Sequence, residues 1–289
     1  MQEKHIVMSD GLKLQAVLHR PDGVEGPLPV FIVLHGFGGN KDTLGGIHSA
    51  HLMEGLGYAA LRIDFRGCGD SEGPRGRTIC LEQVEDLKNA VTHLTRTPGI
   101  DAGRIGVIGH SSGASVAVYG AAVDERIGAC IAVGGYGDGA AKFRKQHASP
   151  EAWRTFIDMM IDGQRRQALG EKVMVPRFNI VPMPKALREN IPTDSSIMEF
   201  PFDVVESVFA FRPIDVIERI SPRPLLLVHS ASDSVTPTEG SIEMFRHARQ
   251  PADLYLMSGV DHFGVEVPNP QLTAFLKTWL DRHFPLASK

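Results

Sequence analysis

Gly109-His110-Ser111-Ser112-Gly113 sets a serine hydroxyl between two glycines, each two residues away. The residues before it, Arg104-Ile105-Gly106-Val107-Ile108, are short and apolar and read as a buried strand. Those after it, Ala114-Ser115-Val116-Ala117-Val118-Tyr119-Gly120-Ala121-Ala122-Val123, are small and apolar and read as a helix packed closely on a sheet. A strand, G-x-S-x-G and then a helix is the setting of a nucleophile elbow, whose tight turn needs small neighbours. Such a turn lifts the Ser111 hydroxyl above the sheet beside a helix N-terminus, where free N–H groups favour developing negative charge. The chemistry this predicts is acyl transfer. A serine hydroxyl is a weak nucleophile at neutral pH, so the rest of the chain must supply a base, an acid and donors for an oxyanion.

Among 12 histidines, His262 in Gly259-Val260-Asp261-His262-Phe263-Gly264 follows the last strand, and a loop there can return over the edge where Ser111 emerges. It is the expected base. The expected acid is Asp233, in His229-Ser230-Ala231-Ser232-Asp233-Ser234-Val235-Thr236-Pro237, which completes the chain order Ser, Asp, His. Asp138, in Gly134-Gly135-Tyr136-Gly137-Asp138 one strand earlier, is its rival. Asp261 adjoins His262 and is not expected to reach its ring. The oxyanion donors are expected to be the Ser112 N–H and, from His35-Gly36-Phe37-Gly38-Gly39, the Phe37 N–H. The same glycines could cradle a phosphate, but neither a Walker pattern nor G-x-G-x-x-G is present. His35 and His110 read as structural hydrogen-bonding residues. With His262 they lack a zinc-type spacing, so neither a metal nor a cofactor is expected.

These residues need a sheet to hold them. Residues 12–18 alternate after the turn at Asp10-Gly11 and predict a half-buried strand. Continuous apolar runs at 30–34, 58–64, 105–108, 129–133 and 225–228 predict strands buried on both faces, with 254–257 the last. Residues 81–94 and 271–283 carry helical apolar spacing. This alternation predicts an α/β fold with a mostly parallel, doubly wound sheet. It is broken between about 138 and 211 by a charged run, a Met-rich and aromatic stretch with Trp153, Phe156 and Met160, and prolines at 176, 182, 184 and 192. The expected organisation is a core of 1–137 and 212–289 with an inserted, largely helical cap at 138–211. The cap's apolar residues, Met160 and Phe178 among them, either line a substrate pocket or form the cap's own core.

Together these motifs resemble the α/β-hydrolase superfamily. The resemblance rests on His35-Gly36-Phe37, the elbow at 109–113, Asp233 with Val235 and Pro237, and Asp261-His262. Asp64-Phe65-Arg66-Gly67-Cys68-Gly69-Asp70-Ser71 also looks like the family's D-x-R-G-x-G-x-S turn, usually structural. The set is similar to bacterial carboxylesterases of the cinnamoyl- and feruloyl-esterase kind and to acylaminoacyl-peptidase-like hydrolases. The resemblance implies the α/β-hydrolase fold and a serine hydrolase, and it says little of the substrate.

The bulk properties narrow the class. The chain has 289 residues and a formal net charge of −4, which gives no general attraction to nucleic acid or acidic membranes. Cys68, Cys80 and Cys130 are scattered and read as reduced thiols. No signal peptide or spanning segment is read, so the expected location is the cytoplasm. The leading expectation is hydrolysis of small to medium acyl or aryl carboxylic esters through an acyl-enzyme. Cleavage of an amide, a peptide or a carbon–carbon bond by the same triad is the alternative. A non-catalytic binding protein on this fold is the alternative of a different class.

Overall fold

The computed structural model describes residues 1–23, 26–265 and 268–286. The chain opens with a hairpin of β1 (Gln2–Ser9) and β2 (Leu12–His19). Asp10 and Gly11 between them both take positive φ, 49° and 84°, the two-residue turn that Asp-Gly favours. The sequence pattern points to β2 and passes over β1, an edge strand with one exposed face. Then follow β3 (Leu28–Leu34), α1 (Leu44–Gly55), β4 (Ala59–Ile63), α2 (Cys80–Leu94), β5 (Ile100–His110), α3 (Ser112–Val123) and β6 (Ile127–Val133). After a long insertion the chain resumes with β9 (Leu225–Ser230), α9 (Glu239–His247), β10 (Ala252–Met257) and α10 (Pro270–His283).

These strands form one eight-stranded sheet in the order β1-β2-β4-β3-β5-β6-β9-β10. Strands β1, β2 and β4 pair antiparallel and every other pair is parallel. Buried side chains alternate between two cores, as strands covered on both faces require. Val30, Ile32 and Leu34 join α2, α3 and α9 on one face, while Phe31 and Val33 join α1 and α10 on the other. This is the doubly wound α/β-hydrolase fold. The register brings Leu34 beside Gly109, His110 beside Val133, and Val133 beside Val228. The loops after β3, β5, β6 and β9 therefore leave the same edge of the sheet next to one another.

Between β6 and β9 lie α4 (Gly139–Gln146), α5 (Pro150–Ala168), β7 (Met174–Pro176), α6 (Arg177–Ile180), α7 (Lys185–Arg188), β8 (Glu199–Pro201) and α8 (Phe202–Ala210). Most of this segment is helix or loop, but β7 and β8 form a short antiparallel pair with Val175 and Phe200 buried, a pair too brief to read in the sequence. Ser149 caps α5 by accepting from the Ala152 N–H, and Pro150 sits at its first position. Phe156 and Met160 are buried, so Met160 belongs to the core; Trp153 and Phe178 are half-buried. Phe178 carries the Arg188 guanidinium 4.4 Å from its ring centre.

Candidate active site

Ser111 sits at the β5–α3 turn with φ 53° and ψ −119°, a backbone state that costs free energy and persists only where neighbours enforce it. The turn is held by the Ser111 N–H donating to the Val133 carbonyl at 2.8 Å. The flanking glycines are required by space. A Cβ at Gly109 would lie 2.2 Å from the Gly113 carbonyl oxygen, and one at Gly113 would lie 2.4 Å from that of His35. The G-x-S-x-G spacing thus follows from packing the elbow against the end of β3.

His262 and Asp233 reach Ser111 from the loops after β10 and β9. His262 Nε2 lies 3.1 Å from Ser111 Oγ, and its Nδ1 lies 2.7 Å from Asp233 Oδ2. Both side chains are buried. Asp233 Oδ1 accepts from the N–H groups of Val235 and Thr236, at 2.8 and 2.7 Å. Burial alone would favour the neutral acid here. Hydrogen bonds from His229 and His262 outweigh it and hold the carboxyl well below the usual carboxylate range. Thr238 occupies the N-cap position of α9, and its hydroxyl donates to the Ser230 carbonyl at 2.8 Å.

Asp138 stands apart from this group. Its Oδ1 accepts from the Ala141 N–H at 2.9 Å, capping α4, and its Oδ2 pairs with Arg212.

Two residues of the site are not evident in the sequence pattern. His229 is fully buried, with Nδ1 2.7 Å from Ser241 Oγ. Its Nε2 lies 3.0 Å from the Thr236 carbonyl and 3.3 Å from Asp233 Oδ2. The carbonyl can only accept, so Nε2 carries the proton and faces the carboxylate as well. Asp261 does not meet the His262 ring, as expected, but its Oδ1 accepts from the N–H groups of Ser234 and His262, at 2.8 and 2.7 Å. Its Oδ2 accepts from the Ser234 hydroxyl at 2.7 Å. It ties the acid loop to the base loop. Its place beside His262 is the one signal the sequence offers.

The loop after β3 abuts the elbow, with the Cβ position of Gly36 3.2 Å from Ser111 Cβ. His35 donates from Nδ1 to the Gly36 carbonyl at 2.9 Å and accepts the Phe65 N–H at Nε2, which fixes its tautomer. Among the described residues neither the Phe37 N–H nor the Ser112 N–H donates a hydrogen bond. His110 Nε2 meets Ser49 Oγ at 2.6 Å, and burial pushes its imidazole down to about 4. The three cysteines are buried and free, and burial pushes the Cys80 thiol up to about 11 and Cys130 to about 12. In each, burial outweighs the pull of the cations nearby, so none has the lowered pKa of a reactive thiol. His19, His51 and Glu54 bring possible metal-ligating atoms within 4.8 Å of one another. There, however, His19 Nε2 accepts from Arg62, which leaves the proton on Nδ1, the atom that faces Glu54. No helix among the described residues is long and apolar enough to cross a membrane.

The family model for the alpha/beta hydrolase family matches residues 31–274. The chain belongs to the alpha/beta hydrolase family. It is 28% identical over 267 residues to the polyketide transferase GrgF of a Penicillium species, covering 88% of this chain and 86% of that one. It is 26% identical over 283 residues to the thiohydrolase AneE of Aspergillus aculeatus, covering 91% and 86%. The crystal structure of GrgF superposes with a TM-score of 0.81 at 23% identity, over 99% of this chain and all of that one. Est1E of Butyrivibrio proteoclasticus, solved with ferulic acid bound, gives a TM-score of 0.71 at 20% identity, over 98% of this chain and 100% of that one. These solved structures share the fold.

Proposed function

We propose that this hydrolase-family protein is a serine esterase that cleaves carboxylic esters through an acyl-enzyme. The observation that carries the reading is the unbroken chain from Asp233 Oδ2 through His262 to Ser111 Oγ, at 2.7 and 3.1 Å, aimed at a serine held in a strained turn. His262 Nε2 takes the Ser111 proton as Oγ bonds to the ester carbonyl carbon. Asp233 holds the imidazole in the tautomer with Nε2 open and stabilises the imidazolium. The Phe37 and Ser112 N–H groups, which donate no hydrogen bond among the described residues, receive the oxyanion. The tetrahedral intermediate collapses, and the alcohol leaves with the proton from His262. Water activated by the same histidine then releases the acid and restores Ser111. The segment at 138–211 acts as a cap over this edge of the sheet, and its half-buried Trp153 and Phe178 are its candidates for contact with an apolar acyl or aryl group.

A thioester is the second reading, favoured by the kinship with a thiohydrolase and a polyketide transferase. The acylation step is the same, but a thiolate leaves with less help from the histidine. Oxygen and sulfur esters of one acyl chain, compared on the same protein, decide between them.

The test is Ser111→Ala, assayed on p-nitrophenyl esters beside a fluorophosphonate probe. Turnover should fall by about 10⁴-fold or more while the fold is kept. The probe should label wild type and not the variant. Near wild-type turnover by folded Ser111→Ala would rule the reading out.

A further inference from the structure

The loop carrying the proposed oxyanion donor Phe37 is rich in glycine and has little stiffness of its own. The inserted segment grips it. Arg177, the first residue of α6, donates from Nη2 to the Phe37 carbonyl at 2.6 Å. Its Nη1 donates to the Ile197 carbonyl at 3.0 Å and stands 3.5 Å from that of Gly38. The Ile197 N–H donates to the Gly38 carbonyl at 2.9 Å, and the Asn40 amide donates to the Ser195 carbonyl at 3.0 Å. The Phe37 ring stacks on Phe200, with centroids 4.2 Å apart. Gly38 takes φ +60°, and a Cβ there would lie 2.5 Å from Phe200 and 2.9 Å from Arg177 Nη1. The close fit leaves no room for a side chain.

The choice of residue is the informative part. Arg177 is 9% exposed, and among the described residues no carboxylate pairs with it. A buried charge is costly, and an apolar residue would fill the same space at less cost if packing were the only need. The guanidinium is a rigid fork of donors, able to hold carbonyls from two separate stretches of chain at once. Burial pulls its proton affinity down to about 10, so it remains charged at neutral pH.

We infer that Arg177 is a positioning residue for the oxyanion hole: it fixes the Phe37 and Gly38 carbonyls, and through them the Phe37 N–H, from within the inserted segment. The inference rests on the esterase reading above. His35 holds the same loop from the sheet side through Gly36, so the loop is pinned from both sides. The segment at 138–211 thereby affects the chemical step.

The experiment compares wild type, Arg177→Met, Arg177→Lys and Phe200→Leu in three measurements: kcat and KM on p-nitrophenyl acetate, affinity for phenylboronic acid, and melting temperature. Boron adds to Ser111 Oγ as a tetrahedral anion and so reports on the hole directly. Arg177→Met should lower kcat by roughly tenfold to a hundredfold, leave KM within about threefold, and weaken the boronate by the same factor as kcat. Arg177→Lys, which keeps the charge but loses the fork, should fall between. Phe200→Leu should show a smaller parallel loss. A merely structural role would lower the melting temperature and leave kcat and boronate affinity unchanged, and that result in any folded variant of Arg177 overturns the inference. Where Arg177→Met does not fold, Arg177→Lys decides the question on the same terms. Failure of the esterase reading itself looks different: wild type would then bind neither boronate nor fluorophosphonate through Ser111.

Discussion

The loops after β6 and β9 leave the sheet side by side and each carries an aspartate, yet the two carboxylates have opposite surroundings. The Asp138 side chain is 22% exposed and its partners are a helix N-terminus and Arg212. The Asp233 side chain is 1% exposed and faces two histidines, with two backbone N–H groups on its other oxygen. A carboxylate on a helix end with an arginine has its charge already answered. One buried against imidazole has a charge that can be matched by moving a proton onto the ring. What separates them is depth and partner type, neither of which the local sequence displays.

The largest effect should come from breaking the deeper of the two. On the proposed mechanism, Asp233→Asn removes the charge that stabilises an imidazolium and leaves an amide that can hold the wrong tautomer. It should lower kcat by about 10⁴-fold with little change in KM. Because the folded state holds the Asp233 carboxyl below its usual range, the ionised form persists as pH falls to about 4, the ordinary value for an aspartate. An acid limb of kcat/KM above that pH therefore belongs to another group. Wild-type kinetics from pH 4 to 9 check this, and a loss of activity in Asp233→Asn of less than tenfold would move the acid elsewhere.

Much of the architecture behind this comparison is legible in the amino-acid pattern alone. The buried strands at 30–34, 105–108 and 225–228, the glycines of the elbow and the order Ser, Asp, His are written in short, strongly patterned stretches. Local pattern is dictated by local need: a strand covered on both faces must be apolar, and a tight turn must be small. What escapes depends on contacts distant in the chain. Arg177 meets residues about 140 positions away, and its neighbourhood in sequence reads as an ordinary Pro-punctuated loop. His229 sits in a run that stands out for its aspartate, but only the fold of 231–238 turns its Nε2 toward Asp233. Strand β1 escapes because one of its faces is exposed, which weakens its pattern.

A middle-sized effect tests whether the acid loop works alone or as one unit with the base loop. Asp261→Ala removes the acceptor for the Ser234 N–H, the Ser234 hydroxyl and the His262 N–H together. Partial burial favours the neutral form of Asp261, but hydrogen bonds from Ser234 and from the His262 backbone outweigh it and keep its carboxyl below the usual range. The tie therefore holds across neutral pH. Its loss should displace the imidazole by a fraction of an ångström and lower kcat by about tenfold to a hundredfold, a scale set by the steep dependence of catalysis on alignment. Steady-state kinetics with a crystal structure of the variant would check it. Unchanged kcat would mean that the Asp233–His262 bond aligns the ring without help.

The smallest effect should come from the shallower aspartate, and it is the one that most sharply tests the comparison. Asp138→Asn keeps a side-chain oxygen able to cap α4, since asparagine caps as well as aspartate. It loses only the charge opposite Arg212, whose side chain is 47% exposed and also pairs with Asp215. Exposed pairs contribute about 0–1 kcal/mol because water and salt screen them. Stability should therefore change by less than about 1 kcal/mol in urea denaturation. The carboxylate is engaged away from Ser111 and His262, so kcat should stay within about twofold of wild type, against a fall of about 10⁴-fold for Asp233→Asn. A large loss of kcat in folded Asp138→Asn would show that the loop after β6 takes part in the chemistry. The contrast between the two strand ends would then have to be drawn from their flexibility instead of their burial.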